Sequence, residues 1–297
     1  MTARGLSPRT KPLPEAAAVE PLYTAPALEK GLDILELLAD EADGMTQGAI
    51  AQRLGRSAPE LFRMLSVLQR RGYLERHSDG CYRLSLRMFE LAHRHPPLNR
   101  LLLVALPAMQ ELADATRQSC HLVVHFDGRI LVVAQVDSPE PMGFGVRMGT
   151  HFPMRMDRSS PRVLSAFQPA AVQERLVAEM VANSEERTDA NKVRIELARL
   201  ARQGFHSAPS ATAAGVTDLC APIFDHREGA VAALTVPYLP QKYVTVTVEQ
   251  ACQELVRISR RISVLLGARA TRSPAAHAHQ ELPQGTASRV PGKRRGK

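Results

Sequence analysis

The chain has 297 residues, 44% of them hydrophobic, and a formal net charge of +8. That length suits about two domains, and the hydrophobic fraction excludes a wholly disordered chain. From Arg269 to Lys297 seven Lys/Arg accompany one acid, a net +6, so the bulk charge is mostly a tail effect and is weak evidence for a nucleic-acid partner.

Local polarity is more informative. Glu29 to Asp43 carries a net −5, whereas Gly44 to His95 carries nine arginines and a net +5. A segment split this way can present one basic face to phosphate. Cys81, Cys120, Cys220 and Cys252 stand far apart with no CxxC pair, a pattern that fits neither a zinc site nor a secreted disulfide framework and suggests a reducing cytoplasm. No apolar run approaches the ~18 residues of a membrane span. The N-terminus holds four prolines by Pro21 and no apolar core, unlike a signal peptide.

Residues 1–24 are Pro/Ala-rich and read as a disordered arm. Ala27 to Leu38 then carries a helical stripe of Leu28, Leu32, Leu35 and Leu38, with Ile34 beside them. Thr46 is suited to cap a short helix, Gln47 to Leu54, and Gly55 to end it. Ser57 heads another helix with Pro59 in its first turn and Leu61, Met64, Leu65 and Leu68 on its buried side. Tyr73–His77 and Cys81–Ser85 flank Ser78-Asp79-Gly80, a hairpin turn signal. The order helix, turn, helix, ribbon predicts a winged helix-turn-helix over 25–95, a unit that places its second helix in the DNA major groove.

A Leu-rich helix from Leu86 to His93 stops at Pro96-Pro97, and a linker helix follows from about Asn99 to Thr116, within a linker segment 96–118. The region 119–268 changes character. Cys120–His125 and Ile130–Val136 form one hairpin, and Leu219–Phe224 and Ala230–Val236 another; Phe144–Met148 reads as a further strand. Helices are expected at Arg162–Phe167, Ala170–Met180, Asn191–Gln203 and Thr247–Leu266. Strand pairs wrapped by helices indicate an α+β domain with an antiparallel sheet. Residues 269–297 read as a disordered basic tail.

The stretches ALEKGLDILELLAD, AIAQRLGRSAPELFRMLSVLQRRGYLER and GCYRLSLRMFELA, followed by VAQVDSPEPMGFGVRMG, FPMRMDRSSPRVLSAFQP and AAGVTDLCAPIFDHREGAVAALTVP, resemble in order and spacing the IclR family of bacterial transcriptional regulators. The resemblance spans about Ala25 to Gly267. It implies a homodimer or dimer of dimers, a winged head for operator DNA, and a GAF-like C-terminal domain that binds a small metabolite such as an organic acid, sugar acid or aromatic catabolite. No cofactor or metal is implied. The chain departs from the family pattern at Pro161, where glycine is usual, and at Ser207–Thr212, where an acidic patch is common.

For DNA, the residue types and positions favour Ser57, Glu60 and Arg63 at base edges, because arginine can bond guanine and glutamate can accept from cytosine. Thr46 and Gln47 start the preceding helix and Arg56 sits in the turn, places suited to phosphate; Arg76 and His77 lie on the wing. Glu60 also suits a helix's first turn for its dipole alone. For the effector, the resemblance points to Met148, Ser159, Ser160, Ser210, Cys220 and Thr235. The two serines also read as simple helix caps, and Cys220 as a small core residue. Two other functions remain open: a DNA-binding architectural protein without a ligand, and a hydrolase drawing on Ser159, His151, His125, Asp127 and Asp157. The second lacks a G-x-S-x-G elbow.

Overall fold

The computed structural model describes residues 25–94, 96–184, 188–227 and 229–268; the expected arm at 1–24 and tail at 269–297 lie outside the described residues. Contacts divide the chain into two units, the first ending at Arg94.

In the first unit, α1 (Pro26–Ala39) begins on a proline, whose missing N–H leaves no bond unmade in a first turn. Thr46 closes the short strand β1 (Met45–Thr46) and caps α2 (Gln47–Arg53), its hydroxyl accepting from the Ala49 N–H at 3.3 Å. The expected end at Leu54 is instead the C-cap. After Gly55 comes α3 (Ala58–Arg70), then β2 (Leu74–Arg76), β3 (Cys81–Leu84) and α4 (Arg87–His93). Leu61 and Leu65 of α3 repeat at four residues and are buried, so that face meets Ile34 and Leu38 of α1, Ile50 of α2, and Leu74 and Tyr82 of the ribbon. Each fully buried leucine contributes about 1.5–3 kcal/mol.

The three strands pair in the order β1-β3-β2. Pairing β1 beside β3 draws Gly44 against the Tyr82 carbonyl, where an added Cβ would sit 2.6 Å away, at a φ of +73°. Only glycine meets both demands. The wing turn is fixed by Asp79, which accepts from the Cys81 N–H at 2.8 Å and from Arg83 at 3.0 Å.

The second unit opens with α5 (Pro96–Thr116). The proline pair read as a stop before a helix at Asn99 begins that helix instead, because N-terminal N–H groups lack partners in any case. The strands are β4 (Cys120–Phe126), β5 (Arg129–Val136), β6 (His151–Pro153), β7 (His206–Pro209), β8 (Thr217–Phe224) and β9 (Ala230–Tyr238). Between β6 and β7 lie α6 (Ser159–Ala166), α7 (Ala170–Ala182) and α8 (Ala190–Gln203), and α9 (Val248–Leu265) follows β9. The capping box of Thr247 and Gln250 sets where α9 starts. The order in the sheet is β6-β5-β4-β9-β8-β7, antiparallel throughout.

The alternation of strand side chains divides this unit into two cores. Leu122, Leu219, Ala221, Ile223, Leu234 and Val236 face α5 and α9. Val123, Cys220 and Ala233 face α6, α7 and α8. The same parity places His121 and Thr235, opposite one another across β4 and β9, on the α6 side.

Phe144–Met148 forms no strand, contrary to expectation; the edge strand is β6. Gly145 passes so close to Gln135 that a Cβ would lie 2.9 Å from its amide nitrogen. This glycine-containing segment runs over the end of β5 as a close-fitting loop rather than pairing with it.

Candidate functional site

In the first unit, α3 sets the outward face. Successive residues turn by about 100° around a helix, so with Leu61 and Leu65 inward, Pro59, Arg63, Ser66 and Arg70 point away from the core. Arg63 is exposed, with no hydrogen bond or ion pair to the described residues. Ser57 is the exposed N-cap, its side chain making no capping bond. The first-turn N–H groups of α3 therefore keep donors for an outside acceptor.

Other expected DNA contacts are engaged inside the unit. Glu60 lies 2.6 Å from Lys30 and 3.5 Å from Arg56. The Lys30 hydrogen bond holds its carboxyl below the usual carboxylate range. Arg56 also reaches Asp33 at 3.4 Å. Glu60 is thus a brace between α1 and the turn before α3, a role that a first-turn acid fills as readily as base reading. Gln47 donates to the Ala58 carbonyl at 2.8 Å, fixing α2 against the start of α3. Thr46 is spent on its cap but remains exposed. On the wing, Arg76 lies over the Tyr82 ring at 5.6 Å and His77 comes within 3.8 Å of Glu75, both on exposed side chains.

In the second unit, a cavity of about 50 Å³ lies between β4, β9, β8 and the start of α6. Ser159, Ser160 and Thr235 line it as expected, with His121, Phe144, Phe152, Arg158 and Asp218. Ser160 and Thr235 are joined at 3.1 Å. Cys220 lies behind them, its thiol accepting from Thr235 at 3.2 Å, and burial pushes its pKa to about 12. That is the behaviour of a small core residue. Ser210 is beside the cavity, bonded to Thr212 at 3.1 Å and to Asp218. Met148 is 70% exposed in a turn and does not line the cavity.

The charged members were missed from sequence. Arg158 stacks on the Phe152 ring at 4.6 Å, and burial lowers its pKa. Burial raises that of Asp218, against hydrogen bonds from Ser210 and Ser159 and the charge of Arg158. Burial also lowers His121 to about 4, so its ring is neutral at pH 7. Two buried nitrogens, Arg158 Nε and His121 Nδ1, have no partner. Buried polar groups are otherwise nearly always paired, so these two mark the cavity as a place built to receive a polar group. An acid at Asp218 inside the run TDLCAPIF was the available signal; Arg158, within a charged loop, gave none.

A second, open groove of about 720 Å³ lies on the α5/α9 side of the sheet, walled by Leu98, Leu101, Leu131, Val133 and Val231. It is much larger, but no lining residue carries an unpaired buried polar atom. The smaller cavity has the chemistry. Among the described residues, the hydrolase set does not assemble: His125 bonds Glu179 at 2.8 Å, and no hydrogen bond joins Ser159, His151, His125, Asp127 and Asp157 to one another. No helix is long and apolar enough to cross a membrane, among the same residues.

A winged helix-turn-helix carried on one chain with a cavity-bearing sheet domain is the build of a transcriptional regulator. Residues 27–78 match the IclR helix-turn-helix domain, and residues 99–264 match the C-terminal domain of the bacterial transcriptional regulator IclR. The chain belongs to the IclR family of DNA-binding transcriptional regulators, whose C-terminal domain binds ligand. It is 28% identical to the HTH-type transcriptional regulator RhmR of Escherichia coli, over 71% of this chain and 82% of that one. It is 26% identical to the glycerol operon regulatory protein of Streptomyces coelicolor, over 77% and 87%. Among solved structures it is similar to an IclR homologue from Microbacterium hydrocarbonoxydans complexed with 4-hydroxybenzoate, at a TM-score of 0.66, 26% identity and coverage of 81% and 98%. HmgR of Pseudomonas aeruginosa matches at 0.65 and 26%, covering 82% and 100%. The expected family, the α+β fold class and the DNA-binding regulatory role all hold.

Proposed function

We propose that α3 and the wing read an operator, and that a small hydroxylated carboxylic acid in the Arg158–Asp218 cavity sets the strength of that binding. The observation that carries the effector reading is the meeting of a half-buried arginine, a half-buried aspartate and the first turn of α6 around one cavity. The arginine and the α6 N–H groups suit a carboxylate. Asp218 repels one, but accepts from a hydroxyl. A ligand bearing both groups satisfies the pair, and the 4-hydroxybenzoate of the Microbacterium relative bears both.

At about 50 Å³ the cavity has room for one or two waters, far below the roughly 300–1,000 Å³ of metabolite pockets. Ligand entry therefore requires the Phe144–Val146 loop and the Ala211–Thr212 turn to move outward. That displacement is the conformational difference by which occupancy can be felt elsewhere. The chain acts as a homodimer or dimer of dimers, because one recognition helix contacts few base pairs and paired half-sites multiply specificity. The buried thiols of Cys120, Cys220 and Cys252 suit a cytoplasmic protein without catalytic cysteine chemistry.

Thermal denaturation with a panel of hydroxybenzoates, sugar acids and 2-hydroxy acids tests the cavity. A true effector at a hundredfold its Kd raises Tm by roughly 5–10 °C, its methyl ester does not, and Ser160→Leu abolishes the shift. A panel without any shift, or a shift that persists in Ser160→Leu, contradicts the assignment.

A further inference from the structure

One flank of α3 carries an aromatic ring that the core does not use. Phe62 is 54% exposed and stands outside the apolar cluster of its unit, although Leu61 beside it is fully buried. It immediately precedes Arg63. By helical geometry the two side chains point about 100° apart, and Phe62 lies about 160° from Glu60. It is therefore on the flank away from the Lys30–Glu60–Arg56 bridge.

We propose that Phe62 is a base-reading residue, its ring seated on the C5-methyl group of a thymine next to the base pair read by Arg63. The inference rests on the reading that α3 enters the major groove. In that groove thymine alone among the four bases offers an apolar group, and apolar side chains are its complement. The neighbouring charges favour this occupant. Arg63 and Arg70 share the outward side of α3, and the nearby acid, Glu60, is neutralised by Lys30 and Arg56. A basic surface holding one exposed ring suits a polyanion that displays isolated methyl groups. With Glu60 engaged by α1, the readable set in the N-terminal part of α3 reduces to Ser57, Phe62, Arg63 and Ser66. That set recognises a thymine beside a guanine rather than a cytosine read through Glu60.

The test uses the full chain and a duplex selected by it from a random pool. Each thymine of the selected site is replaced singly by deoxyuridine, which removes the methyl group and leaves every hydrogen-bonding atom in place. At one thymine per half-site the exchange weakens wild-type binding about fourfold, the loss equivalent to one methyl withdrawn from apolar contact. Phe62→Ala binds the thymine and uracil duplexes equally, whereas Arg63→Ala keeps the thymine preference. Phe62→Leu retains part of it. If every uracil exchange is silent, or if Phe62→Ala keeps the wild-type ratio, the proposal is overturned while the groove reading stands. A change in the sedimentation mass of Phe62→Ala also overturns it, since the ring then belongs to a contact between copies. A pool showing no sequence enrichment overturns the groove reading, and this one with it.

Discussion

Arg63→Ala lowers affinity for the selected operator by roughly tenfold to a hundredfold, and it relaxes preference at one base pair in each half-site. The size follows from the loss of a bidentate arginine–guanine contact, about 1–3 kcal/mol of discrimination. The side chain is exposed and has no partner among the described residues, so its removal leaves the first unit folded. Fluorescence anisotropy on the operator and its single-base-pair variants distinguishes the base contact from a phosphate contact. A phosphate contact gives uniform weakening across sequences and a salt slope shallower by about one. Glu60→Gln behaves differently: it loosens the bridge to Lys30 and Arg56 and weakens all sequences alike. The two substitutions thus separate a residue that reads from one that holds the reader in place.

Acid destabilises the second unit through His121. Burial lowers this ring from 6.5 to about 4, and no neighbouring group offers compensation at Nδ1. The unfolded chain binds the proton first as pH falls. The stability associated with the neutral ring is fully present above about pH 6.5, declines between 6.5 and 4, and is gone below. The loss is on the order of 3 kcal/mol. His206, lowered to about 4 by burial and then by Arg162, acts in the same direction and window. Asp218 acts in the opposite direction, since a carboxyl whose pKa burial raises gains relative stability on protonation. Urea unfolding followed by circular dichroism at pH 7 and pH 4.5 shows the midpoint falling for the wild type and falling less for His121→Gln. Equal slopes in the two proteins would remove His121 as the cause.

Arg63 and His121 differ in how far the sequence discloses their surroundings. The winged unit was readable because its elements are local: Thr46 caps, Gly55 turns, Leu61 and Leu65 repeat, and Asp79-Gly80 closes a hairpin. Arg63 came with them, since a residue's place on a helix follows from spacing alone. Spacing places Glu60 and Gln47 on their helices but does not disclose their internal partners, because Lys30 and Ala58 lie 30 and 11 residues away in sequence and only packing brings them near. The cavity shows the same limit more strongly. Ser159, Ser160 and Thr235 were found through resemblance to the family. His121 and Asp218 were not, because their alignment depends on the pairing of β4 with β9 and β9 with β8. The expected strand at Phe144–Met148 is a loop in which Gly145 lies beside the Gln135 side chain, and Met148 stands exposed outside the cavity.

On the proposed function, this chain recognises a DNA sequence and a ligand in the Arg158–Asp218 cavity alters that recognition. Selection of random duplexes by the full chain, repeated with the effector identified by thermal shift, measures both at once. The expected result is enrichment of two related half-sites, with operator affinity that changes at least tenfold on adding effector and does not change in Ser160→Leu. Enrichment of no sequence, or an operator affinity that the effector leaves untouched, would contradict it.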